Sequence, residues 1–114
     1  MTKKQSYKFG IFAEKIVIFF LRLKGYKILH WRFKTYVGEI DIIAKKAKTV
    51  VFIEVKARNS QYLLEEIFRP NQVKRIKKAA ELFILKNPQF KVFRFDFIEV
   101  GGIFSIKHHK NYFE

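Results

Sequence analysis

The fold of this chain is decided by residues 38–57, which read GEIDIIAKKAKTVVFIEVKA. Two segments rich in Ile and Val, Glu39–Lys45 and Thr49–Ala57, flank a short polar connection, which is typical of neighbouring β-strands. Both segments carry apolar residues on both faces of the predicted strand. Strands of that kind are covered on both sides, so we expect them at the centre of a sheet with a layer packed on each face.

The connection between these strands sets which side chains lie opposite each other. The sequence offers no Gly or Asn for a two-residue primed turn, so we expect a four-residue loop, Lys46–Thr49. That loop pairs Asp41 with Glu54 and Glu39 with Lys56 in an antiparallel hairpin. Any loop of even length keeps these four polar side chains on one face.

The four polar side chains pose an electrostatic problem at one end of a mostly buried surface. Carboxylates that oppose each other across a ladder repel, so Asp41 and Glu54 need a positive group between them. Lys56 supplies part of that charge, and Mg²⁺ or Mn²⁺, bound by hard oxygen ligands, would supply more. The alternative is a charged edge strand on which Glu39 and Lys56 form a surface ion pair.

Around the hairpin, periodicity and turn residues predict the remaining elements. We expect a polar, irregular start over residues 1–8 and an ambiguous segment at Arg58–Arg69. The predicted elements are a helix at Phe9–Lys24 closed by Gly25, a strand at Tyr26–Tyr36, a helix at Asn71–Lys86 opened by Pro70, and a hairpin of Lys91–Val100 and Ile103–Lys107 around Gly101-Gly102. The order α-β-β-β-α-β-β predicts an α/β domain with a mixed β-sheet flanked by helices.

The first helix contains the only acidic residue among the first 36 residues, Glu14. Its neighbours at helical spacing are all apolar: Ile11, Val17, Ile18 and Leu21. A carboxylate there is costly unless it meets a cation or a metal; the alternative is a boundary residue that reaches solvent or a nearby Lys. The pattern also allows a broad apolar face made of Ile11, Ile16, Phe19, Phe20 and Leu23.

The chain is strongly basic, with 24 Lys and Arg against 10 Asp and Glu, a net charge of +14 at pH 7. A field of this size favours a polyanionic partner, either nucleic acid or an anionic membrane surface. The alternative is a generally basic surface without a specific partner. The charge is uneven, because the first 36 residues carry nine basic side chains and one acid.

Other signals narrow the class of protein. The 114 residues suit a single domain, 1–114, and Cys is absent, which excludes disulfides, a Cys nucleophile and a thiolate zinc site. The longest apolar run, Ile16–Leu21, is far too short for a membrane span, and no signal peptide is visible. We therefore expect a cytoplasmic protein that does not act at a membrane.

The second predicted helix carries a basic stripe made of Lys74, Arg75, Lys77 and Lys78. Such a stripe can neutralise successive phosphates, although a solvated helix face has the same pattern. The histidines do not suggest a metal site: His30 is expected to be structural, and His108-His109 is expected to be a solvated tail.

These motifs together resemble the YraN-like family of predicted nucleases. The resemblance rests on Ala13-Glu14, residues 25–29, residues 38–44, residues 52–58 and Arg94-Phe95-Asp96, and it covers nearly the whole chain. The family is placed in the PD-(D/E)xK superfamily, similar to Holliday-junction resolvases. The resemblance implies a restriction-endonuclease-like fold, a metal site at Asp41 and Glu54, a catalytic Lys56 and support from Glu14.

On these grounds we expect a Mg²⁺-dependent endonuclease that hydrolyses phosphodiester bonds in nucleic acid, with branched DNA as one candidate substrate. Asp41 and Glu54 would hold the metal, Lys56 would act on water or phosphate, and Glu14 and Glu39 would support the site. The alternative is a non-catalytic nucleic-acid-binding module with a nuclease-like fold. DNA is the expected nucleic acid, and a homodimer is kept open.

Overall fold

The computed structural model describes residues 3–57, 68–102 and 105–113, except for the side chains of residues 3 and 5–7. These residues form two helices and five strands. In chain order the elements are α1 (Lys3–Leu23), β1 (Lys27–Lys34), β2 (Glu39–Lys46), β3 (Thr49–Ala57), α2 (Pro70–Lys86), β4 (Val92–Val100) and β5 (Ile106–His109). The predicted α/β class and element order are confirmed.

The five strands form one mixed sheet in the order β1-β2-β3-β4-β5. Neighbouring strands are antiparallel except for β3 and β4, which run parallel. The parallel pair is connected through α2, because two parallel strands cannot be joined by a tight turn. The central strands β2 and β3 are buried along most of their length, as their apolar sequences predicted.

The β2–β3 hairpin has the predicted register but a tighter turn. Lys45 pairs with Val50 as expected, and the ladder continues to Lys46 and Thr49, which leaves a two-residue loop. Ala47 takes the left-handed conformation at φ 53°, which a primed turn requires and which usually favours Gly or Asn. The four-residue loop was therefore wrong in length, but its even parity gave the correct pairing.

One helix covers each face of the sheet. On one face α1 packs on β2 and β3 through a core that includes Val17, Leu21, Ile42 and Ile53. On the other face Ile76 and Phe83 of α2 form a second core with residues of the sheet. These sheet residues are Ile40, Ile43, Val50 and Phe52. Strict alternation would place Ile40 on the same face as Ile42, but Ile40 belongs to the core under α2 and Ile42 to the core under α1.

The first helix differs from its prediction at both its start and its buried face. Over the described residues it is helical from Lys3, so the expected irregular start was wrong for residues 3–8; residues 1–2 lie outside the described residues. Lys and Gln favour a helix and no Pro interrupts it. The buried side chains of α1 are Ala13, Glu14, Val17, Ile18 and Leu21. Phe19 and Leu23 are exposed, so the predicted face around them was wrong. Both sides of this helix are apolar, and periodicity alone does not choose between them.

The C-terminal hairpin also differs from its prediction. The final strand, β5, runs from Ile106 to His109 rather than from Ile103 to Lys107. Gly101 N–H donates to the Ser105 carbonyl, so the strands are joined by a wider turn. Residues 103–104, and residues 58–67 of the ambiguous segment, lie outside the described residues.

Gly25 ends α1 as the sequence predicted. Its φ of +89° is left-handed, and Tyr26 N–H donates to the Leu21 carbonyl at 2.9 Å, which closes the last turn. Neither helix, over its described residues, has the length and apolarity needed to cross a membrane.

Candidate metal and substrate site

Asp41 and Glu54 meet where β2 and β3 separate. The last paired residues of the ladder are Ile42 and Ile53, and the next pair in register is Asp41 and Glu54. Their side chains take over the missing ladder hydrogen bonds: Asp41 N–H donates to Glu54 Oε1 at 3.2 Å, and Val55 N–H donates to Asp41 Oδ2 at 2.8 Å. The two carboxylates therefore hold the opened end of the hairpin together.

The protonation of this pair is strongly perturbed. Burial and the neighbouring Asp41 carboxylate raise the pKa of Glu54 well above its ordinary value. Burial also raises the pKa of Asp41, and the charge of Glu14 adds to this, while the Val55 N–H and Lys56 oppose the shift. A buried carboxylate in contact with a half-buried one cannot ionise at low cost while the other is charged, so the pair favours a retained proton or a bound cation.

Glu14 reaches the site from α1 and is held by two consecutive residues of β1. Trp31 Nε1 donates to Glu14 Oε1 at 2.7 Å, and Arg32 Nε donates to the same oxygen at 3.0 Å. Consecutive side chains of a regular strand point to opposite faces. Arg32 has φ 59°, a left-handed conformation that is costly for a non-Gly residue and that allows both donors to reach one carboxylate.

Beyond the carboxylates, residues of β2, β3 and both helices line one cleft of about 250 Å³. Its lining comprises Glu14, Glu39, Asp41, Glu54, Val55, Lys56, Gln72, Arg75 and Ile76. The structure thus brings together all five residues that the sequence assigned to the site. Glu39 is the exposed member at the cleft rim, and Lys56 is half-buried with its Nζ 5.4 Å from the centre of the Phe68 ring.

Gly38 allows α2 to approach this cleft. A Cβ built at Gly38 would lie 2.1 Å from the Arg75 carbonyl oxygen, which no real side chain can do. The absence of a side chain lets the start of β2 touch the backbone of α2, and this contact places Gln72 and Arg75 over the carboxylates. The glycine of the Gly-Glu-Ile-Asp motif is therefore needed for packing rather than for a special φ.

The donor set of the cleft fits a hard divalent cation. Asp41 and Glu54 provide carboxylate oxygens, and Mg²⁺ commonly takes one or two carboxylates and keeps several waters. Within the described residues no group of three or more His, Asp or Glu side chains forms a complete metal site.

The predicted basic stripe of α2 is divided between two surfaces. Only Arg75 lines the carboxylate cleft. Lys74, Lys77 and Lys78 line a neighbouring groove of about 610 Å³ together with Phe68 and Val73. The groove lies on the same helix as Arg75, so a ligand in it can be continuous with the cleft. A role of these lysines in nucleic-acid binding stays a prediction.

His108 belongs to a buried network rather than to a solvated tail. Its Nε2 lies 2.7 Å from Asp96 Oδ2, and the Asp96 side chain has 0% exposure. Arg94 donates to both oxygens of Asp96 at 2.8 Å, and Asn111 N–H donates at 2.9 Å. The expectation that His108-His109 forms a solvated tail was wrong. These residues belong to β5, which pairs with β4, and this pairing brings His108 to Asp96.

Sequence reasoning missed three contributors to the cleft. Arg32 gave no signal, because its left-handed backbone is not encoded by a Gly or Asn. Trp31 carried no sequence signal for this role, although its indole N–H donates to Glu14. Gln72 lies in the first turn of α2, just after Pro70, and lines the cleft. It is far from Asp41 in the sequence, so no local pattern linked it to the site.

The cleft lies within a region shared with many bacterial proteins. The sequence profile of the uncharacterised protein family UPF0102 matches residues 13–100. A UPF0102 protein of Bartonella tribocorum is 38% identical over 101 residues, covering 86% of this chain and 77% of its own. One from Rhodopseudomonas palustris is 43% identical over 93 residues, covering 80% and 71%. One from Fervidobacterium nodosum is 39% identical over 104 residues, covering 87% and 77%.

Proposed function

Because this chain belongs to the UPF0102 family, which is the YraN family that its motifs resembled, we propose that it is a metal-dependent nuclease that hydrolyses phosphodiester bonds in nucleic acid. The observation that carries the proposal is the contact between half-buried Asp41 and buried Glu54, beside Lys56 in one open cleft. A protein that only binds nucleic acid has no use for buried like charges, because they repel phosphate.

A divalent cation held by Asp41 and Glu54 would polarise the phosphodiester and lower the pKa of a bound water. The chain's own residues supply the remaining chemistry. The Lys56 ammonium can orient the attacking water or neutralise charge that develops on the phosphoryl oxygens. Val55 N–H fixes Asp41 Oδ2, so the orientation of that carboxylate is set before substrate binds.

Glu14 and α2 complete the site from opposite sides. Glu14 adds negative charge that favours a cation between the carboxylates, while Trp31 and Arg32 hold one of its oxygens in place. Across the cleft, Arg75 and Gln72 offer donors suited to a phosphate oxygen. The net charge of +14 would attract the polyanion to this cleft over long range.

The test is cleavage of linear and branched DNA by the purified protein in Mg²⁺ and in Mn²⁺, with RNA in parallel. Asp41→Ala and Glu54→Ala should lose cleavage and bind nucleic acid at least as well as wild type, because each removes negative charge near phosphate. Glu81→Ala, at an exposed acid of α2, is the matched control and should cut normally.

Two outcomes contradict the proposal. If both cleft variants cut at the wild-type rate, the active site has been misassigned. If the wild-type protein binds DNA or RNA tightly and cuts neither with either metal, the chain is a non-catalytic binding module.

A further inference from the structure

The helix α1 carries a second apolar stripe on the side that faces away from its own domain. The stripe consists of Phe9, Phe12, Ile16, Phe19 and Leu23, which we call the outer seam. Successive members are three or four residues apart, the spacing of a and d positions in a coiled coil. Phe12 is 53% exposed, Phe19 is 65% exposed and Leu23 is 72% exposed.

The outer seam does not contribute to the domain core. The residues by which α1 packs on the sheet, among them Ala13, Val17 and Leu21, lie on the opposite side of the helix. Each residue turns the helix by about 100°, so the centre of that buried face and the centre of the outer seam lie roughly 150° apart around the helix axis. The fold therefore buries one face of α1, while on the other side Phe12, Phe19 and Leu23 are exposed and Phe9 and Ile16 are half-buried.

A basic border runs along one side of the outer seam. It consists of Lys4, Lys8, Lys15 and Arg22, all exposed. Lys8, Lys15 and Arg22 each precede an a position, so they occupy the g positions beside the seam. Within the described residues none of these three forms an ion pair, and the one acid of the helix, Glu14, is buried on the other side.

We propose that the outer seam is a docking surface for an acidic amphipathic helix of a partner protein. Such a helix would place its apolar stripe against Phe19 and Leu23 and its acidic flank against Lys15 and Arg22. Charge complementarity supports this partner: the border carries only positive side chains, and acidic side chains on the flank of a partner helix would attract them. The surface lies apart from the carboxylate cleft, so the inference goes beyond the nuclease proposal.

A second copy of this chain fits the outer seam poorly. In an antiparallel pair of α1 helices the g positions face each other, so Lys8, Lys15 and Arg22 would meet like charges. In a parallel pair the g positions face e positions, which are Ala13 and Phe20 and offer no acid. Self-pairing thus leaves every border charge unpaired or repelled.

A lipid bilayer also fits less well than a helix. The outer seam is a single column of side chains, as wide as the groove of one partner helix. Interfacial helices instead sink a broad apolar face about 5–10 Å into the lipid. Here the rest of the helix is occupied by the domain core on one side and the basic border on another.

The test uses two synthetic helical peptides of the same length as α1. Both have Leu at every a and d position; one has Glu at every e and g position and the other has Lys there. Like charges keep each peptide from pairing with itself. Fluorescence anisotropy should show binding of the Glu peptide to the full-length protein, weaker binding at high salt, and no binding of the Lys peptide.

Variants then locate the binding surface. Phe19→Ser with Leu23→Ser should weaken binding of the Glu peptide about tenfold or more, because two exposed apolar contacts are lost. Leu85→Ser is the matched control, since Leu85 is 76% exposed on α2 and should leave binding unchanged. Lys8→Glu with Lys15→Glu should reverse the preference toward the Lys peptide. Circular dichroism confirms that each variant is folded.

Four results would overturn the proposal. The first is absence of binding by the Glu peptide, and the second is equal binding of both peptides. The third is a wild-type dimer in light scattering that Phe19→Ser with Leu23→Ser converts to monomer, which assigns the seam to self-association. The fourth is binding to anionic phospholipid vesicles that the same double variant abolishes, which assigns it to a membrane surface.

Discussion

The backbone N–H of Asp41 donates to the side chain of Glu54, and Asp41 in turn accepts from the N–H of Val55 on the same neighbouring strand. Two acidic side chains thus replace backbone pairing at the point where β2 and β3 separate. The arrangement keeps the buried Glu54 carboxylate in contact with the half-buried Asp41 carboxylate, which is unfavourable for stability and useful for holding a cation. Removing the charge of Glu54 should therefore raise the stability of the protein while it weakens metal binding.

Glu54→Gln should stabilise the metal-free protein at pH 7 by roughly 1 kcal/mol or more, because it removes a buried like charge and keeps the oxygen that accepts from Asp41 N–H. Thermal unfolding with a chelator present measures this. Mg²⁺ or Mn²⁺ should then raise the melting temperature of wild type but not of Glu54→Gln. Glu81→Gln, at an exposed acid, should match wild type in both conditions. A destabilised Glu54→Gln that still responds to metal would contradict the assignment.

Gly38→Ala should destabilise the protein by about 1–3 kcal/mol, because its Cβ would overlap the Arg75 carbonyl oxygen and push α2 away from β2. Denaturant unfolding measures the loss, and any nuclease activity should fall with it. Gly10→Ala is the matched control: nothing lies within 4 Å of a Cβ there. Because Gly10 lies inside α1, Ala should stabilise it by up to about 1 kcal/mol. Equal effects at both positions would refute the close approach of α2.

Lys56→Arg should fold normally and lose roughly 10²–10⁴-fold in any cleavage rate, because a broad planar guanidinium cannot replace a compact ammonium acting on one water. Lys74→Arg, on the groove of α2, serves as the control and should retain the rate. If folded Lys56→Arg cleaves at the wild-type rate, Lys56 is not catalytic. Its role is then that of a positive charge paired with Glu39.

Glu14→Ala should cost about 1–3 kcal/mol, because it leaves the Arg32 guanidinium and the Trp31 indole N–H without their shared acceptor. Trp31 is the single tryptophan of the chain, so its fluorescence reports the change directly. Glu14→Gln keeps an oxygen acceptor and should cost less. An emission spectrum that is identical in wild type and Glu14→Ala would show that the indole is not held by Glu14.

Asp96→Asn should reduce stability by about 3 kcal/mol at pH 7, with a loss that shrinks in acid. Burial by itself would raise the pKa of Asp96, but hydrogen bonds from His108, Arg94 and the Asn111 N–H hold that pKa below its ordinary value. A lowered pKa contributes stability above the unfolded-state pKa, about 3.9, and the contribution disappears as pH falls through the folded value. Urea unfolding of both proteins from pH 7 to pH 3 checks this. A difference that grows in acid would contradict it.

The elements and the pairing of the central strands could be predicted from the sequence, because both depend on local periodicity. Runs rich in Ile and Val defined β2 and β3, and the parity of the connecting loop set the register that continues from Ile42 and Ile53 to Asp41 and Glu54. Gly25 and Pro70 marked helix ends through their backbone restrictions. The same pairing placed Glu39 and Lys56 beside Asp41 and Glu54. The assignment of Glu14 to the site came instead from the resemblance of Ala13-Glu14 to a known family.

Other features could be decided only by the tertiary structure, because they join residues that are distant in the chain. Either side of α1 could have faced the sheet, and only packing against Ile42 and Ile53 selected the face with Glu14 and left Phe19 and Leu23 in solvent. The pairing of Trp31 and Arg32 with one oxygen needs a left-handed residue within a strand, which no local propensity predicts. Periodicity determines which side chains share a face; the close packing of separate elements determines which of those faces meet.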